Sequence, residues 1–155
     1  MAIAGSDSRL PEALHTPPAV TPTLVRRSVP APARLAIQAG DWNALVSTRA
    51  NTVVVGTDEA ALRVWTAVWP SLQKPIHWVE GERLSLPRQS AGTLILQGAD
   101  ALTASAQQRL FEWLEGDART TRILTTTRRP LFHLVEDGSF LEALYYRLNM
   151  VLLVL

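Results

Sequence analysis

The chain has 155 residues, 47% of them hydrophobic and 19% charged, a composition that suits one globular domain with a sizeable core and excludes a wholly disordered chain. Its net charge of +1 gives no bulk electrostatic pull towards nucleic acid or a membrane surface. The absence of cysteine excludes disulfides, thiolate metal sites and cysteine nucleophiles, and His15, His77 and His133 lack ligand spacing, so neither metal nor cofactor is expected.

The basic residues are almost all arginine, Lys74 being the only lysine. The longest unbroken apolar run, Met150 to Leu155, is far too short to cross a bilayer, and Met1 to Leu10 has no apolar stretch fit for a signal peptide. A cytoplasmic protein is the expectation.

Residues 1–33 form the first unit. Pro11, Pro17, Pro18, Pro22, Pro30 and Pro32 interrupt every helical pattern, which predicts an extended, disordered arm with polyproline character. Arg26 and Arg27, beside Leu24 and Val25, are its candidate anchor for a partner.

Residues 34–155 form the second unit. Leu35, Ile37, Trp42, Leu45 and Val46 predict a short helix or two, broken near Gly40. Thr52 to Val55 is a β-branched run that reads as a buried strand. Thr57 can cap the next helix, where Asp58 and Glu59 suit the first turn and Leu62, Trp65, Val68 and Trp69 recur at helical spacing up to Pro70. A second strand is expected at Ile76 to Val79, and a third at Thr93 to Leu96. Thr103 should cap a helix from Ala104 to Glu115 that Gly116 ends. A fourth strand at Arg122 to Thr126, a helical turn around Leu131 to Val135, a helix from Gly138 to Leu148 and a fifth strand at Met150 to Leu155 complete the chain.

Strands and helices alternating at this spacing predict an α/β fold, a three-layer doubly wound parallel sheet of about five strands. Trp42, Trp65, Trp69, Trp78 and Trp113 are expected as core and sheet-cover residues rather than as a stacking platform.

The text AGTLILQGADALTASAQQRLFEWLEGD, followed by RILTTTRRPLFHLVEDGSFLEALYYRLNMVLLVL, resembles the second half of the AAA+ domain of sigma-54-dependent transcription activators, the bacterial enhancer-binding proteins. The most specific part is Gly138, Phe140 and Leu144 to Asn149. The resemblance implies a P-loop NTPase-like core, ATP hydrolysis by a ring of subunits, and remodelling of sigma-54 RNA polymerase.

Several residues that this chemistry needs are replaced. A phosphate cradle takes a glycine-rich loop, a lysine and a hydroxyl, spelled GxxxxGK[ST]. The corresponding text, GTDEAALRV, keeps Gly56 but sets Ala61, Leu62 and Arg63 near the glycine, lysine and hydroxyl positions. Asp58 and Glu59 put negative charge where a phosphate favours positive potential. The family's Asp-Glu pair after the third strand, needed for Mg²⁺ and for the attacking water, reads Gln97-Gly98. Asp100 falls past the strand end. The sensor asparagine reads Arg128, and of two arginines that reach a neighbour's nucleotide one reads Leu141 while Arg147 matches the other. Only Glu80 to Ser90 stands where the polymerase-contacting loop belongs, and neither helical lid nor DNA-binding helices are expected after Leu155.

The expectation is therefore not an enzyme but a non-catalytic AAA+-like protein acting through protein–protein contacts, a regulatory or adaptor subunit in bacterial transcription or signalling. Its expected partner is another protein, such as a catalytic AAA+ activator or a signalling protein, or a second copy of itself, with no direct DNA binding. Arg147, Tyr145, Tyr146, Arg26 and Arg27 are the interface candidates. Two alternatives stay open. One is a sensor for a nucleotide second messenger of the cyclic di-GMP type, with Arg128, Arg129 and Arg147 as phosphate ligands. The other is a truncated, inactive remnant of a sigma-54 activator.

Overall fold

A computed structural model describes residues 37–88, 92–116 and 118–155. The proline-rich arm, with Arg26 and Arg27, lies outside the described residues. The order is α1 (Ala39–Ser47), β1 (Thr52–Val55), α2 (Asp58–Val68), β2 (Ile76–Glu80), β3 (Thr93–Gln97), α3 (Ala104–Glu115), β4 (Arg122–Thr127), α4 (Leu131–Glu136), α5 (Glu142–Leu148) and β5 (Val151–Val154). All five strands pair in parallel in one sheet, in the order β2-β3-β4-β1-β5. The expected α/β architecture is the observed one.

Parallel strands covered on both faces read as continuous apolar runs, and the alternation of their side chains divides the core in two. Val54, Ile95, Leu124 and Leu153 face α1 and α2, where they meet Trp42, Leu45, Val64 and Trp65. Val53, Val55, Leu94, Leu96 and Ile123 face the other way, onto α3, α4 and α5, against Leu110, Leu114, Leu144 and Leu148. Each fully buried leucine or valine contributes roughly 1.5–3 kcal/mol of transfer free energy.

Two capping threonines act as the sequence predicts. Thr57 accepts from the Ala60 N–H, and Thr103 from the Ala106 N–H. Asn51, just before β1, ties three elements together. Its Oδ1 accepts from the Ile123 N–H at 2.8 Å, and its Nδ2 donates to the Arg147 carbonyl at 2.8 Å.

The structure corrects three expectations. Gly40 does not break a helix, because it sits in the first turn of α1, where a glycine disturbs few hydrogen bonds. The segment from Gly138 is not helical until Glu142. Gly138 has φ 79°, and the Phe140 N–H bonds the Leu134 carbonyl at 2.8 Å, so a tight turn precedes α5. Of the tryptophans, Trp42 and Trp65 are core, but Trp69 and Trp78 are 46% and 44% exposed. Trp69 lies in a 3₁₀ turn beyond α2, and Trp78 lies on edge strand β2, which α2 does not fully cover.

The turn before α5 carries its own carboxylate. Asp137 Oδ1 accepts from the Ser139 N–H at 2.9 Å and from the Ser139 hydroxyl, and these bonds hold the carboxyl below its ordinary 3.8. A carboxyl with a depressed folded value stabilises above its unfolded pKa and loses that contribution as pH falls through the folded one. Asp137→Asn should therefore lower the melting temperature slightly at pH 6, and the gap should close as pH drops below about 3.8. A gap that stays constant from pH 6 to the acid limb would refute this.

Candidate functional site

In this sheet β1 leads into α2 on one face, whereas β3 and β4 lead to helices on the other. Adjacent strands whose connections leave in opposite directions open a crevice at their C-terminal ends, which is where α/β sheets bind ligands. Here the crevice has a volume of about 220 Å³.

The connection from β1 to α2 is two residues, Gly56 and Thr57. The Gly56 N–H is bonded to the Thr127 carbonyl at 3.0 Å, and the Thr57 hydroxyl caps the helix. Leu155 lies over the turn, so that a Cβ on Gly56 would come within 3.1 Å of its side chain. A phosphate cradle needs a longer loop whose N–H groups wrap the anion. Of the positions aligned with glycine, lysine and hydroxyl, Ala61 is buried against the sheet, Leu62 is exposed, and Arg63 is bonded to Glu59 one turn back.

At the end of β3, the Gln97 side-chain oxygen accepts from the Trp78 indole N–H at 3.1 Å. Gly98 adopts φ 70°, and its N–H donates to the Thr126 hydroxyl at 3.0 Å. Gly81 presses against this bend so closely that a Cβ there would stand 2.1 Å from the Gly98 carbonyl oxygen. The chain beyond β2 is thereby held down on the sheet. Leu84 and Leu86 pack on the core, and the Pro87 carbonyl accepts from the Trp113 indole at 3.2 Å.

Asp58, Glu80, Glu82 and Asp100 line the crevice, with Arg128 as its cation. Arg128 reaches across from the end of β4 to bond Asp58 at the start of α2, and this contact holds the guanidinium above its ordinary pKa. Asp100 lies in a 3₁₀ turn past β3, as the sequence places it, yet its side chain turns back to the crevice. One oxygen is 3.6 Å from Arg129 Nε and the other 3.5 Å from the Arg128 N–H.

The remaining predicted residues sit apart from the crevice lining. Arg147 pairs within the chain: its Nε lies 3.3 Å from a carboxylate oxygen of Glu115 at the end of α3. Tyr145 is half-buried, and its hydroxyl accepts from the Asn149 amide at 2.8 Å. Tyr146 is exposed and packs edge-on to Tyr145 at 5.3 Å. Phe140, Leu144 and Leu148 form the buried face that seats α5. The sequence reading missed the cleft between Trp65 and Trp78. The signal available was the alternation in IHWV, which puts Trp78 and Ile76 on the same face of an edge strand.

Among the described residues no cluster of acidic or histidine side chains could hold a metal ion, and no helix is long and apolar enough to cross a membrane.

Comparison with known proteins follows the same lines. The family model described as the Sigma-54 interaction domain matches residues 68–155. No curated protein matches the chain in sequence. Among solved structures, the chain is similar to NtrX from Brucella abortus in complex with ATP, with a TM-score of 0.60 at 17% identity over 74% of this chain and 35% of that one. It is also similar to the RuvB Holliday junction branch migration motor of Thermotoga maritima, with a TM-score of 0.50 at 13% identity over 82% of this chain and 48% of the other. At such identities the likeness is one of fold, and the chain spans about a third of the length of NtrX.

Proposed function

Since the chain belongs to the Sigma-54 interaction domain family, whose model covers residues 68–155, we propose that it is a non-catalytic member that works through contacts with another protein. The observation that carries this reading is the two-residue turn between β1 and α2, with Asp58 at its end clasped by Arg128. A nucleotide would have to displace an arginine from a crevice lined by four carboxylates, without the backbone cradle or the lysine that offset phosphate charge. The ion pair itself is exposed and adds little stability; it matters because Arg128, the cation of the crevice lining, is already engaged by a carboxylate of the chain.

The residues available for contact remain intact. Arg147 and Tyr146 present themselves on α5, and Met150, just before edge strand β5, and Leu152 and Val154 on that strand expose apolar surface. These suit a regulatory or adaptor subunit in bacterial transcription or signalling, docking on a catalytic AAA+ activator or a signalling protein. The second-messenger reading gains nothing here, because Arg128, Arg129 and Arg147 each engage a carboxylate of the chain itself.

Thermal denaturation with Mg–ATP tests the proposal. A ligand at about one hundred times its dissociation constant adds about 2.7 kcal/mol to stability, several degrees of melting temperature for a domain of this size. The expected result is no shift with Mg–ATP at about 1 mM, and no phosphate release. A shift of several degrees, or turnover that dies with a crevice substitution, would overturn the reading.

A further inference from the structure

Strand β5 has one open side. Val151 and Leu155 turn their N–H groups to the Asn51 and Val55 carbonyls, so by alternation Leu152 and Val154 turn theirs away from β1, to a side on which no described strand lies. The side chains of those two residues are exposed as well, and so is Met150. Edge strands are ordinarily guarded by lysine, proline or a bulge; residues 151–154 carry none of these and pair with β1 without interruption.

The chain itself arrives at this edge. The described residues begin at Ile37, and Ile37, Gln38 and Asp41 share a hollow of about 230 Å³ with Leu152, Leu153 and Val154. Helix α1 then runs back along the sheet to its last turn, where Arg122 at the start of β4 holds the Leu45 carbonyl, and it packs on the same face as α2. From β1, α2 carries the chain towards β2, away from β5. A strand laid outside β5 and leading into α1 would travel in the same direction over the same face. Its crossover to β1 would therefore share the hand of the crossover through α2, the right-handed sense of parallel sheets.

One run before Ile37 has the chemistry for that place. Residues 23–29 lie between Pro22 and Pro30, and Thr23, Val25 and Val29 are β-branched on one alternate face. Leu24 and Arg26 fall on the other face, towards the hollow, where Asp41 pairs with no described cation. Residues 1–10, also free of proline, instead carry Gly5, Ser6, Asp7 and Ser8, which favour turns. Residues 30–36 can span up to about 23 Å, against about 13 Å for the length of β5, and so short a tether gives an effective concentration on the order of millimolar.

We propose that residues 23–29 dock on the open side of β5 as a sixth, parallel strand of the same chain, Val25 and Val29 beside Leu152 and Val154 and Arg26 against Asp41. The arm is then an internal occupant, which a partner strand has to displace before it reaches β5. This goes beyond the non-catalytic reading and does not depend on it, since the Mg–ATP measurement decides that reading separately.

Hydrogen exchange followed residue by residue on the full chain tests the docking. The Leu152 and Val154 amides should exchange roughly tenfold more slowly in the native chain than in Arg26→Pro, which takes an N–H out of the middle of the run. Residues 23–29 should lose protection in the same variant, while Val151 and Leu155, bonded to β1, should change little. Arg26→Glu keeps the backbone intact and sets a carboxylate opposite Asp41, so it should cost part of the protection, more at low salt than at high. Equal exchange at Leu152 and Val154 in the native chain and both variants would overturn the proposal. So would protection that falls on dilution, because the occupant would then be a second copy.

Discussion

Replacing Gln107 by leucine is expected to lower the free energy of unfolding by about 3 kcal/mol, the largest single effect predicted for this chain. Gln107 is 4% exposed and clamps three backbone groups at once. Its amide nitrogen donates to the Leu102 and Ser139 carbonyls, each at 3.0 Å, and its oxygen accepts from the Leu141 N–H at 2.7 Å. Leucine fills much the same volume, so the loss is polar: two carbonyls and one N–H are left without partners, at about 1 kcal/mol each. The clamp joins α3 to the Gly138–Leu141 turn, so the damage should centre on the entry to α5. Urea denaturation gives the size, and hydrogen exchange gives the place. A loss below about 1 kcal/mol would mean that water or another group replaces the clamp.

Arg122→Met is the second, with an expected loss of about 2 kcal/mol. Arg122 is only 5% exposed, and it donates to the Leu45 carbonyl in the last turn of α1 and, at 3.2 Å, to the Ala50 carbonyl. A cation at a helix C-terminus is favourable, and here it also joins α1 to the start of β1. Burial, followed by the nearby charge of Arg49, pulls its pKa down to about 10, so desolvation opposes part of the gain from the carbonyls. That is why the expected loss falls below the sum of two charged hydrogen bonds. Methionine retains the apolar stem and strips the donors, and lysine should fall between the two. If Arg122→Met matched the native midpoint in urea, the carbonyls would be gaining nothing from the guanidinium.

The fold was legible because its signals were local. Thr52 to Val55, Thr93 to Gln97 and Arg122 to Thr127 are short β-branched or aliphatic runs, and Thr57 and Thr103 mark helix starts by a mechanism that needs no tertiary contact. The family text was legible for the same reason, since Gly138, Phe140 and the LYYRLN run hold fixed offsets along the chain. What stayed hidden depends on pairs distant in sequence. Nothing near Arg147 in the text announces Glu115, nothing near Arg128 announces Asp58, and Gln107 reads as one more polar helix position until Ser139 and Leu141 are brought beside it. The exposure of Trp78 was hidden too, because it depends on β2 being an edge strand. That is a property of strand order and not of the strand.

The turn at Gly56 and Thr57 has one more consequence, which concerns the routes open to this chain under mutation. A missing lysine or carboxylate is a side-chain loss, and one codon change can reverse it. Here residues 58–61, which stand where GxxxxGK[ST] has the rest of its loop, are wound into α2 behind the Thr57 cap, so the loop is short although no residue is missing. Leu62→Lys would set an amine on the exposed side of α2, beside Trp65 and Trp78, rather than over a bound phosphate. Restoring acids at Gln97 and Gly98 would add negative charge to a crevice that already holds four carboxylates. Each single side-chain step towards the family's text therefore brings no gain while the first turn of α2 stays helical. A phosphate cradle at this turn calls for a helix that starts later as well as for new side chains, a change of conformation that several substitutions must make together.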